Sequence, residues 1–147
     1  LSLRESVRLD GRWLLVVPEH LDADATRVAH DVEQALTTHG ATVHTLALDP
    51  ATADFDDRFA GMYEEATDVT GILSLLGLAV GPHPEHGEVP IATATSLALV
   101  QAVGEAGFGV PVWAVTRGAV SVVPGEVPET AGAHLWALGR VAALEIP

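Results

Sequence analysis

Trp13-Leu14-Leu15-Val16-Val17 is an unbroken apolar run stopped by Pro18. Continuous rather than alternating apolarity suits a strand buried on both faces, as in a parallel sheet covered by helices. The residues that follow fit that reading. Asp22 and Asp24 offer helix N-caps, and Val28, Val32, Ala35 and Leu36 fall on one helical face before Gly40 ends the pattern. Residues 43–48 then read as a second strand, closed by Asp49-Pro50. Further out the alternation repeats. Phe55, Phe59, Met62, Tyr63 and Ala66 make a single apolar helical stripe, and Asp54, Asp56 and Asp57 fill its first turn, where the helix dipole favours negative charge. Residues 71–78 form a third strand, followed by a loop over 81–90 rich in Pro, His and Gly. The third helix runs over 91–106, with Leu99, Val100 and Val103 inward and Gly107 as its stop. Residues 112–116 supply a fourth strand with Trp113 inside it, and a Gly- and Pro-marked loop over 118–128 leads to a last helix over 131–145. Strands alternating with helices predict a three-layer α/β fold on a mostly parallel sheet of about four to five strands.

At 147 residues the chain has the length of one domain, residues 1–147. It is 48% apolar and 18% charged with a mean hydropathy of +0.31, a composition that folds and holds a core. It has no cysteine, which excludes disulfides, thiolate nucleophiles and thiolate metal sites. The longest apolar stretch, 72–80 with Ser74 inside it, is too short to cross a bilayer. No charged-then-apolar signal pattern stands at the N-terminus, so a cytoplasmic location is expected. Twenty acidic residues against seven basic ones give a net charge of −13, which repels nucleic-acid backbones and anionic membrane surfaces. All seven basic residues are arginine. Without lysine there is no phosphate-loop lysine, no Schiff base, and no Tyr-x-x-x-Lys pair of a short-chain dehydrogenase.

In a parallel sheet, ligands bind beyond the C-terminal strand ends. A dinucleotide site there needs glycines in the first strand-to-helix turn, because only bare backbone can approach the pyrophosphate. That turn is Val17-Pro18-Glu19-His20-Leu21-Asp22, acidic and without glycine, so neither cofactor-binding nor catalytic residues are expected in this chain. After the third strand, Pro82-His83-Pro84-Glu85-His86-Gly87-Glu88 contains a His-x-x-His pair flanked by glutamates. His83 and His86 are the candidate metal ligands, although a proline-bound solvated loop is the simpler reading and no metal is expected. Ser74 and His134 suggest a hydrolase triad on paper, but there is no Gly-x-Ser-x-Gly elbow and Ser74 sits mid-strand. A receiver-type phosphorylation domain shares the alternation but uses a lysine that is missing here. Tyr63 and Trp113 read as core, Trp136 as facing either the sheet or a partner, and Arg117 and Arg140 as bonding loop carbonyls or pairing with acids.

Several segments carry a resemblance. Gly11-Arg12-Trp13-Leu14-Leu15-Val16-Val17-Pro18, Thr70-Gly71-Ile72-Leu73-Ser74-Leu75-Leu76-Gly77-Leu78-Ala79 and Leu99-Val100-Gln101-Ala102-Val103-Gly104-Glu105-Ala106-Gly107 are three of them. Pro111-Val112-Trp113-Ala114-Val115-Thr116-Arg117-Gly118-Ala119-Val120 and the closing Leu135-Trp136-Ala137-Leu138-Gly139-Arg140-Val141-Ala142-Ala143-Leu144-Glu145 complete the set. In this order they resemble the ketoreductase region of bacterial modular type I polyketide synthases. The resemblance implies the structural, N-terminal half of the ketoreductase, a truncated Rossmann-like fold without cofactor. Its expected partners are the catalytic half of the same polypeptide, neighbouring synthase domains and an acyl carrier protein. NADPH and the Ser, Tyr and Lys that reduce a β-ketoacyl group would belong to that catalytic half, leaving this part inactive alone. None of the matching segments contains a catalytic residue to carry over. The first ten residues match poorly the Trp-containing strand usual in the family and read as a linker or divergent strand. The end at Ile146-Pro147 reads as a truncation, since the family continues into a further strand. The competing reading is an independent ligand- or metal-binding α/β module built on His83 and His86.

Overall fold

The apolar run around Trp13 becomes an inner strand of a four-stranded sheet. In the computed structural model, which describes residues 8–49, 55–65, 68–107 and 109–145, the backbone alone is described at residues 55, 56, 63, 65, 144 and 145. Strand β1 (Gly11–Pro18) lies between β2 (Ala41–Leu48) and β3 (Val69–Ser74), and β4 (Val112–Ala114) completes the order β2-β1-β3-β4. All three pairings are parallel. Leu14, Leu15, Val16 and Val17 are buried whichever face they point to, as an apolar run without alternation requires. The fold is α/β and Rossmann-like, with helices on both faces of the parallel sheet.

Helices α1 (Ala23–Thr38), α2 (Phe55–Glu65), α3 (Ile91–Ala106) and α4 (Thr130–Glu145) supply the covering layers. On one face Leu14, Val16, Leu46 and Ile72 pack with Phe59 of α2 and with Leu99, Ala102 and Val103 of α3. On the other, Leu15 and Val17 pack with Ala25, Ala29 and Val32 of α1. A fully buried leucine or isoleucine contributes about 2 kcal/mol, against less than about 1 kcal/mol for an exposed ion pair such as Arg8–Asp10. The two apolar layers therefore hold the sheet to its helices. The inward row of α1 is Ala25, Ala29, Val32 and Leu36, while Val28 and Ala35, expected inward, are exposed. Helix α1 lies nearest β2, and Ala25 and Ala29 of its first turns pack into the core with Leu15 and Val17 of β1. Helix α3 ends at Gly107, whose φ of +67 is the left-handed C-cap that glycine adopts without strain. No helix among the described residues is long and apolar enough to cross a membrane.

Three further expectations are corrected, the first being the fourth strand, which is Val112–Ala114 rather than 112–116. The third strand stops at Ser74 rather than at residue 78, and Leu76–Leu78 form a 3₁₀ turn. Its apolar residues continue past the ladder because Leu75 and Leu78 fill one core and Leu76 the other. Trp113, read as core, is 59% exposed. It sits on β4 at the edge of the sheet, beyond the strands that α1 covers. The expectations for residues 1–7, Asp54, Ala66 and the end at residues 146–147 lie outside the described residues, as do the side chains of Phe55, Asp56 and Tyr63.

Candidate functional site

The chain runs from β1 to β2 on one side and then crosses to β3 on the other, so the strand order reverses at β1. The crevice at the carboxyl ends of these strands is where an open α/β sheet takes a ligand. Here Pro18 at the end of β1, Glu19 and His20 after it, Asp49 after β2, Ala79 and Val80 after the 3₁₀ turn, and Ile91 and Thr95 of α3 enclose a cleft of about 90 Å³. Its geometry follows from short connections. Glu19 N donates to Leu48 O at 3.0 Å and Leu75 N to Val16 O at 2.8 Å, which draws the three strand ends together. Thr95 is buried, and its hydroxyl donates to Ile91 O at 2.7 Å within its own helix.

Small-molecule clefts hold about 300–1,000 Å³. This one admits a few waters or a small group, and its charged lining is the Glu19 and Asp49 carboxylates with His20 beside them. The N-terminus of α1, where a dinucleotide-binding fold seats its pyrophosphate, is held by the chain's own carboxylate. Asp22 is the N-cap, as expected, and its Oδ1 accepts from Ala25 N at 2.7 Å. Its Oδ2 faces Arg117 at 3.7 Å, a pairing that joins the end of β4 to the first βα turn. An incoming phosphate would meet an anion already bonded to the Ala25 amide, with Glu19 close by in the chain. Sequence reading found the cap and allowed Arg117 an acidic partner, but nothing local in either segment names Asp22 as that partner across 95 residues of chain.

The other candidates do not converge on one reactive group. His83 and His86 stack at 5.2 Å between ring centroids, inside a loop closed by a bridge between Pro82 and Pro90. Nδ1 of His83 accepts from the backbone N–H of both Glu85 and His86 at 3.2 Å, so it caps a turn. Among the described residues, no three His, Asp or Glu side chains converge as a metal-ligand group. Ser74 is 2% exposed, and its Oγ accepts from Leu76 N at 3.3 Å, which starts the 3₁₀ turn. His134 meets Thr93 Oγ1 through Nδ1 at 3.4 Å. The two would-be triad members thus serve separate structural contacts. Arg140 stacks over the ring of Trp136 at 5.0 Å, and that tryptophan is 51% exposed on α4.

Comparison with known proteins places this arrangement. No protein-family model matches the chain. It is 43% identical over 141 residues to polyketide synthase GfsA of Streptomyces halstedii, a match covering 93% of this chain and 2% of that synthase. It is 41% identical over 148 residues to erythronolide synthase EryA3 of Saccharopolyspora erythraea, covering 97% of this chain and 4% of that one. Among solved structures it superposes on a C2-type ketoreductase from a modular polyketide synthase with a TM-score of 0.79 and 38% identity, over 94% of this chain and 30% of that chain. An A-type ketoreductase gives a TM-score of 0.75 and 32% identity, over 99% and 30%. The chain thus spans a few per cent of its curated relatives and under a third of the solved ketoreductases.

Proposed function

We propose, from the premise that this chain belongs to the ketoreductase region of the modular polyketide synthases, that it is the non-catalytic half of that domain. In this reading it packs on and positions an NADPH-dependent half, which reduces a β-ketoacyl group on an acyl carrier protein to a β-hydroxyacyl group. The observation that carries it is the state of the switch-point cleft. It is about 90 Å³ in volume and acidic, and the adjoining helix terminus is closed by Asp22. The absence of lysine from the whole sequence supports the same assignment, because reductases of this class use one. What this half would supply is rigidity: a sheet whose central strand β1 is buried from Leu14 to Val17 on both faces and so offers a fixed platform for a partner.

Hydrogen exchange on a complete ketoreductase containing this segment tests the proposal. Adding NADPH should leave the amides of residues 16–26 and 75–80 exchanging at unchanged rates while protecting amides elsewhere in the domain. Protection of the Pro18 to Asp22 turn on addition of NADPH would overturn the assignment.

A further inference from the structure

We infer that the loop over 82–90 is a proton-operated latch, whose tip His83 holds closed as a neutral ring and releases when that ring takes up a proton. The loop has two parts with different chemistry. Its base is held by backbone groups: Ile91 N donates to Gly81 O at 2.9 Å, His83 N donates to Val89 O at 2.8 Å, and Pro82 bridges Pro90. Amides and carbonyls do not titrate, so the base is indifferent to pH. The tip over 84–88 is held by a side chain. Glu85 N and His86 N both donate to His83 Nδ1 at 3.2 Å. A ring nitrogen accepts only while it carries no hydrogen, so the neutral ring of His83 must keep its hydrogen on Nε2. A proton arriving at Nδ1 turns the shared acceptor into a third donor facing the other two, and both bonds are lost together. Histidine is the side chain whose charge changes between about pH 5 and 8, which puts the release within the physiological range.

The second imidazole works in the same direction. The ring of His86 stacks on that of His83, with centroids 5.2 Å apart and planes inclined at 24°. Once both rings are charged, two like charges face each other at that separation and push the stack apart. The other titratable groups about the loop are Glu85 and Glu88 within it, and Glu19, His20 and Asp49 lining the cleft beside its feet. Those feet give the latch its place in the fold. The chain enters the loop past Val80 and leaves it at Ile91, and both residues line the switch-point cleft. Releasing the tip therefore frees the segment strung between two walls of the cleft, while the backbone bonds of the base keep the walls themselves in place. The tip is closed at the alkaline end of the histidine range and open at the acid end.

Nuclear magnetic resonance on a complete ketoreductase containing this segment, labelled with nitrogen isotope in histidine, reads the ring and the amides without any substitution. At about pH 8 the ring of His83 should be the Nε2–H tautomer, with Nδ1 bare. On acidification to about pH 5 that ring should charge, and the His86 amide should lose protection against exchange by at least about twofold, the low end for one net hydrogen bond. The His83 amide, bonded to Val89 O in the base, should keep its protection through the same step and serves as the internal control. A variant then assigns the step to one nitrogen. His83→Asn offers the same amides a side-chain oxygen that takes up no proton, so its His86 amide should stay bonded across the whole range. A His83 ring with its hydrogen on Nδ1 at the alkaline end overturns the inference, and so does a His86 amide that keeps its protection in acid. An acid step that survives His83→Asn overturns it as well, because the proton then acts elsewhere. Loss of the His83 amide together with that of His86 would show the whole loop opening rather than a latched tip. These readouts are independent of catalysis, so their failure would leave the proposed function standing.

Discussion

Asp22 occupies two contacts at once: it closes the N-terminus of α1 through Ala25 N and faces Arg117 at the end of β4. The contributions are unequal. Loss of an N-cap acceptor costs about 1 kcal/mol, while an ion pair at 3.7 Å between half-exposed side chains is worth less than about 1 kcal/mol and usually much less. Asp22→Ala is therefore expected to destabilise by about 1 kcal/mol in urea titration, and Asp22→Asn, which keeps the acceptor, by under about 0.5 kcal/mol. Equal losses for the two would show that the charge, not the cap, matters. His83 makes the converse case. Its Nδ1 accepts from two exposed amides that water can satisfy instead, so His83→Ala with His86→Ala should cost no more than about 0.5 kcal/mol. Zinc should leave the melting temperature of either protein unchanged; a zinc-dependent rise lost in the double variant would restore the metal-binding reading. The composition of this loop was legible in the sequence as a ligand motif or a turn alike, because His-x-x-His records spacing and not which ring nitrogen the backbone has already engaged.

Helix α4 shows how one residue type takes opposite signs along one element. A Cβ on Gly132 would meet Arg117 O at 2.5 Å and Ala119 Cα at 2.8 Å, both backbone atoms that cannot swing away. A Cβ on Gly139 meets nothing within 4 Å. Gly132→Ala should thus destabilise by about 1–3 kcal/mol through overpacking, and Gly139→Ala should stabilise by about 0.5–1 kcal/mol because alanine restricts the unfolded chain and favours helix. Thermal melts of the two variants beside the parent check both signs, and a stabilising Gly132→Ala would mean that α4 does not lie against the loop after β4. The elements themselves were largely readable from the residues. Strand β1 announced itself by unbroken apolarity, α3 by its periodicity and its closing glycine, and α1 by Asp22. What misled was apolar content that belongs to packing rather than to a ladder: Leu75, Leu76 and Leu78 look like strand and are core plugs in a turn. The outward position of Trp113 was not readable, because Val112-Trp113-Ala114-Val115 has the composition of a buried strand and only the strand order places it at an edge.

Across the whole molecule, two properties oppose each other. A net charge of −13 on a chain of 15.3 kDa keeps copies apart, and its reach shortens to about 8 Å at physiological salt. Against it stand β4, which among the described residues pairs with β3 alone, and the exposed Trp113 on it, the combination that draws sheets together. If that edge is covered in a complete ketoreductase, residues 1–147 alone must either leave it wet or bury it between copies. Like-charge repulsion should decide between these at low salt and lose at high salt. Light scattering on residues 1–147 is therefore expected to give a mass above 15.3 kDa that rises with both protein concentration and salt. Trp113→Ser should bring it back towards the monomer by removing the exposed ring while leaving the net charge unchanged. The complete domain, with the edge covered, should stay monodisperse across the same salt range and melt at a higher temperature. A protein of residues 1–147 that is monomeric at high salt and melts with the complete domain would show that the sheet needs no cover, and that the exposure of Trp113 is an ordinary feature of a self-sufficient fold.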